Sequence, residues 1–204
     1  IDNYMPIADW RGYGLGPDAG SAISTYDLGY LGNNIAAGEG HDWFYSSEQD
    51  RLDGVRTPIT DAAHEEPWIW RFKDIKSWWR NEHHNRIGGE RQTSATAWMP
   101  ESKPVWFTEL GCAAVDKGAN QPNIFGDAKS SENGLPYFSN GSPDGLIQRQ
   151  FLRAHFGHWV PEAIGFNEAN NPVSVVYGGR MVDPERVYCW TWDARPYPAF
   201  PQLE

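Results

Sequence analysis

Residues 103–112 read KPVWFTELGC. Val105, Trp106 and Phe107 are β-branched or aromatic, as in a strand buried on both faces, and the pattern predicts a strand over 104–108. Such a run has no use for a charge. Yet it closes on Thr108 and Glu109, and a glycine stands at 111. The carboxylate at the carboxyl end of an apolar strand is the feature that asks for a reason.

Two other segments resemble this strand. Residues 1–7, IDNYMPI, open the chain as a short strand with Asp2, Asn3 and Tyr4 in it, and 186–193, RVYCWTWD, is a β-branched and aromatic run closing on Asp193. Between the first and second, Trp68, Phe72, Ile75 and Trp79 recur at helical spacing and predict an amphipathic helix over 68–80. Between the second and third, Ser142-Pro143-Asp144 is a helix start, with serine as cap and proline at the first helical position. Ile147, Phe151, Leu152, Phe156 and Trp159 supply that helix's buried face. Strand, helix, strand, helix, strand is the rhythm of an α/β fold with a parallel sheet. Residues 11–40 and 113–140, dense in Gly, Asn, Ser and Pro, read as long loops of the kind that carry function, and 81–103 as a polar connection. No internal repeat or linker divides residues 1–204, so they form one domain.

The composition restricts function. The 204 residues include 11 Trp, 9 Tyr and 9 Phe beside 21 Gly and 15 Pro, which suits aromatic-lined clefts on a loop-rich backbone. A net charge of −10 with no basic run disfavours nucleic acid as a partner. No stretch approaches the roughly 20 apolar residues of a membrane-spanning helix. The two cysteines, Cys112 and Cys189, have no zinc spacing, though they could pair with each other. No metal or cofactor motif is present. The chain starts on Ile1 inside a strand, which suggests a piece of a longer polypeptide.

Ligands of parallel α/β folds bind beyond the carboxyl ends of the strands. Asp2, Asn3 and Tyr4, then Thr108 and Glu109, then Trp190, Trp192 and Asp193 would meet there. Carboxylates among aromatic rings suit sugars, because rings stack on the C–H faces of pyranoses while carboxylates bind hydroxyls or attack the anomeric carbon. Retaining hydrolysis divides its work between two carboxyl groups about 5–5.5 Å apart. Glu109 is the nucleophile candidate, and a structural ion pair at a strand end is the alternative. Strand alternation sets Trp190 and Trp192 on one side and Asp193 on the other.

KPVWFTELGC resembles the seventh-strand motif of the retaining glycoside hydrolases built on TIM barrels, where such a segment presents the nucleophile. The longer run KPVWFTELGCAAVDKGANQPN, with IDNYMPIADWR and YCWTWDARPYPAFP, resembles the TIM-barrel-like domain of the large host-specificity, or baseplate-hub, tail protein of gene transfer agents and related tailed phages. That resemblance spans nearly the whole chain. It implies the C-terminal part of a (β/α)8 barrel, roughly strands six to eight, with Tyr4 on the sixth, Glu109 on the seventh, and Trp190 and Trp192 on the eighth. It further implies that Tyr4 bonds the nucleophile and that Trp190 or, second to it, Trp192 floors the sugar subsite; Asn3 and Asp193 are further substrate-binding candidates, with a local ion pair between Asp193 and Arg195 as the alternative for the latter. The acid/base carboxylate would come from a fourth strand preceding Ile1. The implied partners are a cell-envelope glycan and other tail or baseplate proteins, in the tail of a virion-like particle made in a bacterial cytoplasm. The alternative function is a structural hub module that kept the barrel and lost its chemistry.

Weaker signals read as structural. Asn167-Glu168 imitates the Asn-Glu pair of the same hydrolases but sits in the turn-rich GFNEANNP. His155 and His158, with Glu162 after them, read as ordinary helix-surface or packing residues rather than a metal site, and His83-His84 reads the same way. Cys112 is a small buried filler.

Overall fold

The computed structural model describes residues 1–126 and 130–190. Residues 191–193 of the expected last strand, with Trp192 and Asp193, therefore lie outside the described residues. In chain order the elements are β1 (Asp2–Asn3), α1 (Leu28–Asn33), β2 (Trp43–Phe44), α2 (Glu48–Asp53), β3 (Thr57–Pro58), α3 (Ile75–Arg80), β4 (His84–Ile87), β5 (Glu90–Ala95), β6 (Val105–Leu110), α4 (Gly145–Trp159) and β7 (Val182–Cys189). β1, β6 and β7 form a parallel three-stranded sheet in that order, as the alternating pattern requires, while β2 with β3 and β4 with β5 make two small antiparallel pairs.

β6 is the strand that the opening run predicts. Val105, Phe107 and Leu110 are buried, and the Phe107 ring stands edge-on to Trp159 of α4 at 5.6 Å. Trp106 and Thr108 are exposed, so among the described residues one face of β6 is covered rather than two. β7 begins earlier than expected and runs through Pro184. The ladder accommodates this by setting two steps on β6, Val105 to Phe107, against five on β7, Val182 to Val187, so that the proline falls in an irregular stretch.

α4 starts two residues later than read. Asp144, not Ser142, is the cap: its Oδ1 accepts from the backbone N–H groups of Leu146 and Ile147 at 3.1 and 3.0 Å, while the Ser142 carbonyl accepts from Asp116 N at 2.8 Å. Asp144 also accepts from the Tyr26 hydroxyl at 2.7 Å. Asp144→Ala is expected to destabilise the protein by about 1 kcal/mol through the lost cap, more if Tyr26 is left unpartnered, whereas Ser142→Ala changes little; urea denaturation of the two variants checks this. The buried face of α4 is Ile147, Phe151, Ala154, His155, His158 and Trp159, with Leu152 and Phe156 only half-buried. The two histidines are packing residues, on the stripe that the apolar count alone had left incomplete.

The helix expected over 68–80 is broken. Pro67–Ile69 forms a 3-10 turn, and α3 restarts where the Asp74 side chain accepts from Ser77 N at 3.0 Å. Phe72, assigned to its buried face, is 58 % exposed. The loop read over 11–40 contains α1, capped by Asp27 on Tyr30 N and packed against α4. The connection over 81–103 contains the hairpin β4–β5, turned at Gly88 and Gly89 with φ of 61° and 90°, values that favour glycine. Both cysteines are free, Cys112 buried and Cys189 exposed, so they do not pair.

Candidate functional site

The carboxyl ends of β1 and β6 lie side by side, with Asp2 opposite Glu109 and Asn3 opposite Leu110. Tyr4 Oη donates to Glu109 Oε2 at 2.5 Å, and Thr108 Oγ1 donates to Asp2 Oδ1 at 2.6 Å. Two consecutive side chains of β6 thus serve the same short segment of β1, which a regular strand would not allow. A bulge permits it: Phe107 pairs with Val187 and Leu110 with Cys189, three steps on β6 against two on β7.

The glycine that ends the motif has an equally local cause. A Cβ on Gly111 would stand 1.8 Å from the carbonyl oxygen of Trp190, whose N–H donates to Leu110 O at 2.9 Å. Only a residue without a side chain lets β7 close on β6 immediately after Glu109.

Burial pushes the Tyr4 hydroxyl well above the ordinary tyrosine range, and the hydrogen bond to Glu109 and the charges of Glu109, Asp2 and Glu132 add to the effect. Tyr4 therefore stays protonated and donates to the carboxylate at any physiological pH. Phe125 stands edge-on to the Tyr4 ring at 5.6 Å and forms a wall of the site. Its loop is tied at the base: Asn120 Nδ2 donates to Trp10 O and Tyr137 O at 2.8 and 3.0 Å, and Asp116 Oδ2 accepts from Asn140 N at 2.9 Å. Sequence reasoning missed Phe125; an isolated aromatic residue within a Gly- and Asn-rich loop was the available signal.

The other expected site residues divide. Trp190 is 48 % exposed and adjoins the end of β6 through its backbone bond to Leu110. Asn3, expected to contact substrate, is 1 % exposed, and its Oδ1 accepts from Met5 N at 3.3 Å. Trp192 and Asp193 lie outside the described residues. Glu168 is held by both terminal nitrogens of Arg180, which also donates to Asn171 O at 2.9 Å. His155 Nδ1 accepts from Trp159 Nε1 at 3.3 Å and His158 Nδ1 lies 3.3 Å from Asn170 Nδ2. Burial raises the Cys112 thiol far above its usual range, which suits a filler and not a nucleophile.

A strand-end carboxylate bound by tyrosine, on adjacent parallel strands, is the arrangement the TIM-barrel resemblance implies. The family model of the GTA TIM-barrel-like domain matches residues 1–201. The chain belongs to that family. A comparison with curated proteins found no match. The family's description points to gene transfer agents, and the mixed α/β architecture of the chain, with its parallel sheet, fits a TIM-barrel-like domain. Its described residues form an open three-stranded sheet, not a closed barrel. Among them, no helix is long and apolar enough to cross a membrane.

Proposed function

We propose that this domain acts on cell-envelope glycans from the tail of a gene transfer agent or phage-like particle, with Glu109 as the nucleophile of a retaining glycoside hydrolase and β1, β6 and β7 as the sixth to eighth strands of its barrel. One observation carries the reading: Tyr4 donates to Glu109 at 2.5 Å where two neighbouring parallel strands end. In that position Tyr4 aligns one carboxylate oxygen and leaves the other to attack the anomeric carbon. Phe125 and Trp190 would offer faces to the sugar ring, and Asp2, held by Thr108, would bind a hydroxyl. The acid/base carboxylate would come from another strand of the barrel.

The test avoids dependence on that second carboxylate. Activated 2-deoxy-2-fluoro and 5-fluoro glycosides carry a leaving group that needs no protonation. Glu109 attacks the anomeric carbon, dinitrophenolate departs with the bonding electron pair, and a glycosyl ester accumulates. Incubated with the full polypeptide that carries this domain, one member of such a probe panel is expected to add its glycosyl mass to the peptide containing Glu109, and to add nothing in Glu109→Gln. Absence of label from every probe would overturn the hydrolytic reading. Retained binding to envelope polysaccharide would then indicate a lectin-like site, and no binding a structural tail module.

A further inference from the structure

The chain leaving Tyr4 runs directly into the core, where Ile7, Ala8 and Trp10 are buried. Only Asp2 and Asn3 are in the sheet ladder, so the buried backbone that follows needs other partners. Ile7 N donates to Ala119 O at 3.1 Å, Asp9 N donates to Tyr30 Oη at 3.0 Å, and Asn120 takes both polar groups of the Trp10 backbone at 3.0 and 2.8 Å. Pro6, two residues beyond Tyr4, has its carbonyl bound by Lys73 Nζ at 2.6 Å. The same Nζ donates to Ala37 O at 2.6 Å, and the Lys73 backbone N–H donates to Gly40 O at 3.2 Å.

Lys73 is 2 % exposed, and no carboxylate among the described residues pairs with it. The acids that surround it are engaged elsewhere: Asp9 and Asp18 with Arg56 at 2.7 and 2.5 Å, Glu39 with Arg51, and Asp42 with His41 at 2.7 Å. On the α4 side its charge reaches His155. Burying a lysine against two carbonyls, without a counter-ion, is costly. A methionine would fill the same space at less cost, so what the lysine adds is the link between two segments.

We propose that Lys73 is a positioning residue for the Tyr4–Glu109 pair: by tying Pro6 to Ala37 it fixes where the chain leaves β1 and so where the Tyr4 hydroxyl stands. The proposal rests on reading that pair as the functional site, but its test needs no substrate. Burial pushes the Lys73 amine down to about 7. A neutral amine has two protons, one for each carbonyl, whereas the ammonium carries a third for which the described residues offer no acceptor, so the clamp changes state near neutrality.

Tyrosine labelled with ¹³C at the ζ carbon reports the hydrogen bond of each phenol, and Tyr4→Phe identifies the Tyr4 resonance in the full polypeptide. Lys73→Met, shown to be folded by its circular dichroism, is expected to shift that resonance toward the position of a solvated tyrosine, while Lys117→Met leaves it in place. In the wild type the Tyr4 resonance is expected to move with a midpoint near pH 7, and in Lys73→Met to be flat there. An unchanged resonance in folded Lys73→Met would overturn the proposal. If that variant does not fold, the wild-type titration decides: a midpoint near 7 supports the clamp, and a flat profile from pH 6 to 8 overturns it. Failure of the glycosyl labelling would leave this result standing, because the resonance reports the bond and not turnover.

Discussion

Gly111→Ala is expected to destabilise the protein by about 2–4 kcal/mol, the sum of overpacking and of a lost ladder bond. The new methyl carbon would be placed 1.8 Å from Trp190 O and 3.0 Å from its carbonyl carbon. Both are backbone atoms, so no rotamer change relieves the overlap. Relief requires the ends of β6 and β7 to part, which breaks the 2.9 Å bond from Trp190 N to Leu110 O. For a domain of this size each kcal/mol lowers Tm by about 2–4 °C, so the melting temperature should fall by about 5–15 °C. Gly32→Ala in α1 is the control. Nothing lies within 4 Å of a Cβ there, and the substitution is expected to stabilise by about 0.4–1 kcal/mol. Thermal unfolding followed by circular dichroism reads both. A Gly111→Ala melting temperature within a degree of wild type would mean that the strands do not close as described. Because Glu109 stands two residues before the glycine, the variant should also lose the Tyr4 to Glu109 bond.

The motif at 103–112 could be read so far because each of its residues answers a local demand. The apolar run needs a covered face, the carboxylate needs a donor, and the glycine needs room for a neighbouring carbonyl. The partnership of Tyr4 with Glu109 came from resemblance and not from spacing, since 105 residues separate the two and only the parallel ladder brings them together. What was missed has physical reasons too. α1 contains Gly29 and Gly32, which lower helix propensity, and it forms because it packs on α4. The helix over 68–80 has the right period, but Asp74 caps a new start and Lys73 turns inward to the carbonyls of Pro6 and Ala37, so Phe72 is left outside. The first strand shrank to two ladder residues because Pro6 has no N–H to offer and side chains take up the backbone beyond it. His155 and His158 fell outside the expected buried face because pattern reading counts histidine as polar, yet both sit on the buried stripe of α4.

Those histidines make the fold acid-sensitive. Burial pushes His155 down to about 3 and His158 down to about 4, with the charges of His158 and Lys73 adding to the first and that of Lys76 to the second, while the Gly32 backbone opposes the shift of His158. The unfolded chain binds these two protons near pH 6.5 and the folded protein does not, so unfolded molecules hold more protons below that pH and stability falls as pH falls. The contribution is complete above about 6.5 and is lost on acidification toward 3–4. By pH 4.5 each histidine is expected to have removed about 2–3 kcal/mol of stability, at about 1.4 kcal/mol per pH unit. Carboxylates such as Glu66, held below their usual range by Arg91 and Arg86, lose their contribution as pH falls below the usual carboxylate range, so the two histidines dominate the interval from 6.5 to 4.5. His155→Gln is expected to remove about half of that slope, since the amide can still accept from Trp159 Nε1 but cannot take up a proton. Urea denaturation at pH 7.0, 5.5 and 4.5 measures it, and an equal slope in wild type and variant would refute the assignment. The consequence reaches the site by a short route. Trp159, which donates to His155 and packs against the His158 ring, also carries Phe107 on its edge, and Phe107 lies on β6 two residues before Glu109. Acid that loosens α4 should therefore release the strand that presents the carboxylate.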